Sequence, residues 1–225
     1  MRQDSVIRKW FMAALMLALA GLALGLGAAT AIAGGGNSAN AHLCEQNGWM
    51  NLVRSDGTGF SNTGDCVSYG AQGGTLYPVF HFTAELNGAN ENPPVASPGT
   101  GTATVTWNTA TSQMTVNVVF SNLTSGTTAS HIHCCAVPPT NAGVATTLPT
   151  FTGFPTGVTS GTYSHTLDMS NPASYNPAFV STHGGTVTSA EAALLTGIVA
   201  GQAYLNIHTT THPGGEIRGV LLQAP

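Results

Sequence analysis

Alternation of apolar and polar residues dominates the chain beyond residue 78 and predicts a series of short β-strands. Phe80, Phe82, Ala84 and Leu86 alternate with polar residues, and the same period of two recurs further along the chain. Because successive side chains of a strand point to opposite faces, this period indicates strands with one buried face. The segments with this pattern are 80–86, 103–107, 114–120, 129–135, 163–167, 203–209 and 215–222.

One helix is predicted among the strands, and the sequence also allows a single helical turn at 176–182. Thr188-Ser-Ala-Glu191 has the form of a capping box, apolar residues fill 192–199, and Gly201 provides a stop. Segment 136–161 is rich in Pro, Gly and Thr and predicts a large loop. Together these features predict an all-β fold, a Greek-key-like β-sandwich with one inserted short helix.

The first 33 residues have the three parts of a secretory signal peptide. Arg2, Arg8 and Lys9 precede an apolar run, and Ala31-Ile-Ala33 has the small-x-small form of a cleavage site. The alternative is an uncleaved membrane anchor, because 10–33 is just long enough to span a bilayer. Cleavage would leave a chain without a transmembrane segment in the periplasm, at the cell surface or in the medium.

A small module precedes the strands. Residues 34–41 and 70–77 are Gly-rich and predict linkers on either side of segment 42–69. So short a segment buries little surface, and a Cys44–Cys66 disulfide would add about 3 kcal/mol of stability. We therefore expect a disulfide-stapled module or spacer.

Charge is scarce, and this excludes some partners. Charged residues make up 6% of the chain, against roughly 25% in typical soluble domains. Beyond residue 33, Arg54 and Arg218 are the only cationic side chains apart from histidine. Nucleic acid and anionic lipid both need a basic patch, so neither is an expected partner, and an unidentified protein or surface remains.

Histidines supply the candidate chemistry. His131 and His133 are two residues apart and share one face of a predicted strand, while His208 and His212 belong to a predicted C-terminal hairpin. If the hairpin packs beside that strand, several imidazoles converge on a site for copper or zinc. Glu216 could serve as a ligand or could orient one. The alternative is that these histidines are structural and hydrogen-bonded.

Cys134 and Cys135 are adjacent and leave opposite faces of an extended strand. They could form a vicinal disulfide, remain thiols, act as metal ligands beside His133, or pair with Cys44 and Cys66. A pairing of Cys44 with Cys66 leaves Cys134 and Cys135 to each other or to a local redox or metal role.

Arg218 is expected to form a structural ion pair. Glu85, Glu91 and Glu216 are the possible partners, and Glu91 is the one we select. The alternative is a site for a substrate carboxylate. The sequence has no motif in which a nucleophile or paired carboxylates stand in a catalytic context, so we expect no enzymatic activity.

Six short motifs follow one another in segment 78–223: Phe82-Thr-Ala-Glu-Leu-Asn-Gly88, Glu91-Asn-Pro-Pro94, Gly101-x-Ala-x-Val105, Ala129-Ser-His-Ile-His133, Tyr204-Leu-Asn-Ile-His208 and Pro213-Gly-Gly-Glu-Ile-Arg-Gly219. Through these motifs the segment resembles the CHRD (chordin) domain family. The family form has Gly after His-x-His, where this chain has Cys134-Cys135. The preceding Cys/Gly-Trp segment resembles a short motif of exported bacterial proteins. The resemblance implies an exported, β-rich domain with a non-enzymatic binding or cell-surface role, and the alternative function is a periplasmic copper or zinc protein.

Overall fold

The computed structural model describes residues 36–224. The predicted signal segment, 1–33, lies outside this range. Within it, none of the helices combines the length and the apolar character that crossing a bilayer requires.

An antiparallel sheet forms most of the molecule and confirms the predicted all-β class. Its long strands run in the order β5-β7-β8-β2-β3-β4-β6, and β1 and β9 both pair with β2. The sheet curls around one core, as in a sandwich. Its strands are β1 (Leu52–Val53), β2 (Tyr77–Asn87), β3 (Thr100–Asn108), β4 (Gln113–Ser121), β5 (Thr127–Cys134), β6 (Gly161–Asp168), β7 (Ala203–Thr209), β8 (Ile217–Val220) and β9 (Leu222–Gln223).

The period of two in the sequence becomes the two faces of the sheet. In β2, β3 and β4 the alternate apolar residues are buried, and Phe82, Trp107 and Phe120 are among the largest fully buried side chains. Polar residues between them face outward. Burial of this apolar surface is the main favourable term in folding.

Strands β5 and β7 differ because both of their faces are buried. Ile132 of β5 and Leu205 and Ile207 of β7 belong to the apolar core. On the opposite face, His131 and His133 are also buried, and so is Asn206. This second, polar face is covered by the loops that follow β5 and β7, and it holds the candidate site.

Two α-helices lie between β6 and β7, one over the possible turn at 176–182 and one over the predicted helix. The short helix α3 (Pro177–Thr182) precedes α4 (Val187–Val199). The cap of α4 is Thr186, not Thr188 as predicted, because the Thr186 side chain accepts from the Ser189 amide and Ser189 Oγ bonds back to the Thr186 amide. Leu194 and Ile198 place the buried face of α4 in the core.

The N-terminal module is more helical than expected. Helix α1 (Gly36–Cys44) includes residues 36–41 of the first predicted linker, and α2 (Thr63–Ala71) ends two residues inside the second. The Cys44–Cys66 disulfide joins the two helices, and a side chain at Gly70 would lie 3.0 Å from Asn40. Gly70 therefore lets α2 approach α1 closely. The two-residue strand β1 attaches the module to β2.

Candidate metal centre

Three histidines meet on the polar face of β5 and β7. His131 and His133 project from β5, and His208 projects from β7, where it stands opposite Ala129. Their ring centroids lie 5.4 to 5.9 Å apart. Each ring offers one nitrogen atom as a ligand, and these three atoms all lie within 4.8 Å of one another.

Backbone carbonyls fix which nitrogen of each ring carries the proton. His131 Nε2 lies 2.7 Å from the Pro149 oxygen, His133 Nδ1 lies 2.9 Å from the Ala142 oxygen, and His208 Nδ1 lies 3.0 Å from the Pro213 oxygen. A carbonyl can only accept, so each of these nitrogens carries the proton. The lone pairs of the neutral rings are therefore on His131 Nδ1, His133 Nε2 and His208 Nε2.

These same three nitrogens are buried without a hydrogen-bond partner among the residues that the structure describes. Buried polar atoms are normally satisfied, so three orphaned acceptors in one cluster need an explanation. A metal ion accounts for all three at once. Histidine ligands in proteins usually donate their other N–H to a carbonyl or carboxylate, as these three do.

The electrostatics of the cluster keep the rings neutral. Burial lowers the pKa of all three imidazoles, and it lowers the pKa of His133 to about 4. Hydrogen bonds to the carbonyls oppose this effect only in part. At neutral pH the rings are therefore in the form that binds a metal.

Tyr204 holds His133 in place, a role that the sequence analysis did not assign. The two rings stack at 4.9 Å with planes 6° apart. The Tyr204 hydroxyl accepts from the Ala142 amide at 3.1 Å and lies 3.3 Å from the Ala142 oxygen. Tyr204 is four residues before His208 in one strand, so the period of two could have placed both residues on one face.

Arg218 extends this arrangement on the far side of Tyr204. Its guanidinium carbon lies 4.6 Å from the Tyr204 ring centroid. Its nitrogens donate to the Asn90 oxygen, to Asn141 Oδ1 and to the Pro139 oxygen. Arg218 thus anchors the loop that supplies the Ala142 carbonyl to His133.

Glu91, which the sequence analysis selected as the ion-pair partner of Arg218, lies beside that residue. Arg218 Nε and Glu91 Oε2 are 3.9 Å apart, and both side chains are buried. This distance is long for a hydrogen bond, because the guanidinium is occupied by backbone and amide oxygens. Burial raises the pKa of Glu91 to about 7, and the positive charge of Arg218 offsets only part of that rise.

The structure does not bring Glu216 to the imidazoles, so the predicted role in the metal site needs correction. The Glu216 carboxylate accepts from Ser97 Oγ at 2.6 Å, from the Thr124 amide at 2.7 Å and from Thr209 Oγ1 at 2.7 Å. Burial alone would raise the pKa of Glu216, but these hydrogen bonds outweigh it and the pKa lies below its usual value. Glu216 is a buried anchor for two loops and the end of β7.

His212 also lies outside the group of three rings. Its backbone oxygen accepts from the Thr209 and Gly215 amides and so closes the turn between β7 and β8. The hairpin predicted from the sequence is present, but its turn directs His208 into the site without His212.

The remaining cysteines form a vicinal pair. Cys134 and Cys135 are bonded to each other, and both Cys44 and Cys66 are used by the other disulfide. Cys134 is buried on the core face of β5, whereas Cys135 is exposed. Neither sulfur is a thiolate that could join the histidines.

A curled antiparallel sheet with a three-histidine cluster on its polar face defines a β-sandwich-like domain with a candidate metal centre. The family model of the CHRD domain matches residues 82–221, which is more than half of the chain. The chain therefore belongs to the CHRD family. Comparisons with curated proteins and with solved structures found no match.

Proposed function

We propose that this protein is an exported, non-enzymatic CHRD-domain protein that binds one copper or zinc ion through His131, His133 and His208. The observation that carries the proposal is the convergence of three buried imidazole lone pairs, each orphaned and each fixed by a carbonyl on the far side of its ring. No backbone or side-chain donor among the described residues bonds to these three acceptors, so an ion is the partner that we propose.

The donor set favours copper and zinc over other ions. Neutral imidazoles suit both metals, and in the usual affinity order of divalent ions copper binds more tightly than zinc. Imidazole nitrogens bind these ions at about 2.0–2.1 Å, so the rings would move slightly closer together as the ion enters.

Burial supports a binding role instead of catalysis. Each ligand nitrogen has under 1 Å² of exposed surface, so an ion among them would be enclosed. His208 is only partly buried and marks the side from which an ion could enter. The two disulfides support export, because such bonds persist in oxidising compartments.

Metal titration of the full-length protein, recovered from a periplasmic or secreted fraction and stripped with a chelator, tests the proposal. We expect one equivalent of Cu²⁺ or Zn²⁺ to bind, as measured by mass spectrometry of metal content. His131→Ala, His133→Ala and His208→Ala should each abolish or strongly weaken binding.

His212→Ala is the matched control, because His212 lies in the same hairpin but outside the cluster. This variant should bind the metal like the wild type. The proposal would be contradicted if the wild-type protein took up neither ion. It would also be contradicted if His212→Ala lost as much metal binding as the other three variants.

A further inference from the structure

The two disulfides of this protein lie in different surroundings. Cys44 and Cys66 are both fully buried, whereas in the second pair Cys134 is 4% exposed and Cys135 is open to solvent. Thiol–disulfide exchange requires that an attacking thiolate reach one of the two sulfurs. Cys135 therefore offers an approach that the Cys44–Cys66 bond lacks.

A shallow surface cavity of about 380 Å³ lies at Cys135. Besides Cys135 and His183, the α4 residues Ala192, Ala193, Thr196 and Gly197 line it. These α4 residues are small, and this leaves room for a ligand next to the sulfur. The volume suits a small molecule, as ligand cavities commonly begin at about 300 Å³.

Gly197 places the disulfide directly against helix α4. A Cβ atom at this position would lie 2.3 Å from Cys134 Sγ and 2.5 Å from Cys135 Sγ. Only glycine therefore permits the contact. The contact holds the disulfide against α4, with Cys135 at the cavity and Cys134 buried behind it.

His183 supplies a basic group in the same cavity. Its Nδ1 lies 2.9 Å from the Phe179 oxygen, and its ring stacks on Phe179 with centroids 4.0 Å apart. Because the carbonyl can only accept, Nδ1 carries the proton and Nε2 keeps its lone pair. Nε2 can accept the proton of an incoming thiol, which makes the thiolate that attacks.

We infer that the Cys134–Cys135 disulfide is an exchange site for small thiols, and that Cys135 is the sulfur that they attack. In the first step the thiolate forms a bond to Cys135 Sγ, the Cys134–Cys135 bond breaks, and Cys134 leaves as a thiolate that takes up a proton. A second thiolate then attacks the small molecule's sulfur in the mixed disulfide, and Cys135 leaves as a thiolate that takes up a proton. The protein gains two electrons and two protons, and two small thiols become one disulfide.

Reduction of the full-length protein with glutathione tests this inference. Exposed thiols are alkylated at successive times, and peptide mass spectrometry reports which cysteines are labelled. We expect Cys134 and Cys135 to be reduced at least about tenfold faster than Cys44 and Cys66, which serve as the control in the same chain. Equal rates, or faster reduction of Cys44–Cys66, would overturn the inference.

The position of the mixed disulfide gives a second, independent measurement on the wild-type chain. Acid quenching early in the reaction should trap glutathione on Cys135, and trapping on Cys134 would contradict the assignment. His183→Gln should slow the first step several-fold, whereas His165→Gln, on β6 and outside the cavity, should not. An unchanged rate in His183→Gln would remove the proposed base.

Discussion

The rings of His133 and Tyr204 lie 4.9 Å apart and nearly parallel, and both residues bind the backbone of Ala142. The stack keeps the imidazole from tilting out of the plane in which it lies. Because Tyr204 also binds Ala142, it holds in place the carbonyl to which His133 Nδ1 donates. Tyr204 is therefore a positioning residue for the proposed metal centre.

Tyr204→Phe should weaken metal binding while leaving the site assembled. The phenyl ring keeps the stack, but the two hydroxyl contacts with Ala142 are lost, and loss of such supporting contacts typically costs 10–100-fold in metal affinity. We expect the dissociation constant to be about tenfold larger in a competition titration. Tyr163→Phe, which removes a hydroxyl contact on the core side of the sheet, is the control and should leave metal affinity unchanged.

In the metal-free protein, Glu91 and His133 should change the free energy of unfolding in opposite directions as the pH rises. The folded pKa of His133 is about 4, below its ordinary value of 6.5, so its contribution is complete above pH 6.5 and is lost as pH falls toward 4. The folded pKa of Glu91 is about 7, above its ordinary value of 4.5, so its contribution is complete below pH 4.5 and is lost as pH rises toward 7. Each pKa shift changes the free energy of unfolding by on the order of 3 kcal/mol, and the two changes have opposite signs.

Glu91→Gln should expose the histidine contribution. Without the carboxyl, the free energy of unfolding should rise more steeply between pH 4.5 and 6.5 than in the wild type, as measured by urea denaturation at a series of pH values. Glu85→Gln removes an exposed carboxylate instead and should follow the wild-type curve. Parallel curves for Glu91→Gln and the wild type would show that Glu91 does not take up a proton in this range.

Glu216→Gln should separate anchoring from metal binding. The amide replaces one acceptor oxygen by an NH₂ group that faces the donors Ser97, Thr124 and Thr209. Loss of a buried, charged acceptor of this kind costs about 1–3 kcal/mol. We expect a lower free energy of unfolding but one bound metal ion per chain, and loss of the ion in a folded variant would restore Glu216 as a ligand.

Removal of the Cys44–Cys66 bond should open the N-terminal module. Beyond residue 9, trypsin can cut only after Arg54 and Arg218, and Arg218 is 4% exposed. Arg54 is held in the module by the Asp65 carboxylate at 2.7 Å and by Phe60, whose ring centroid lies 4.3 Å away. The bond should contribute about 3 kcal/mol, so the Cys44→Ala/Cys66→Ala variant should be cut after Arg54 far faster than the wild type.

The CHRD domain of that variant should survive, because its core is separate from the module core. Gel analysis should show one cleavage, and the large fragment should still bind the metal. Cleavage at Arg218 at a similar rate would instead show that the module and the sheet unfold together.

Periodicity made the strands predictable. Every strand segment with a period of two is present, because one apolar face and one polar face satisfy the pleat of a sheet without further information. The same rule placed His131 and His133 on one face. The capping of α4 was misplaced by two residues because both Thr186 and Thr188 have the side-chain oxygen that a cap needs, and only the packed helix selects between them.

The sequence by itself determined the strand pattern, the scarcity of charge and the pair of histidines on β5, since these depend on neighbours along the chain. The tertiary structure decided that His208 joins them while His212 and Glu216 do not, because the pairing of β5 with β7 and the turn before β8 set those distances. It also decided which nitrogen of each ring is free, because that depends on carbonyls from three separate loops. Contacts between segments far apart in sequence have no local signal, so the geometry of the site exists only in the folded chain.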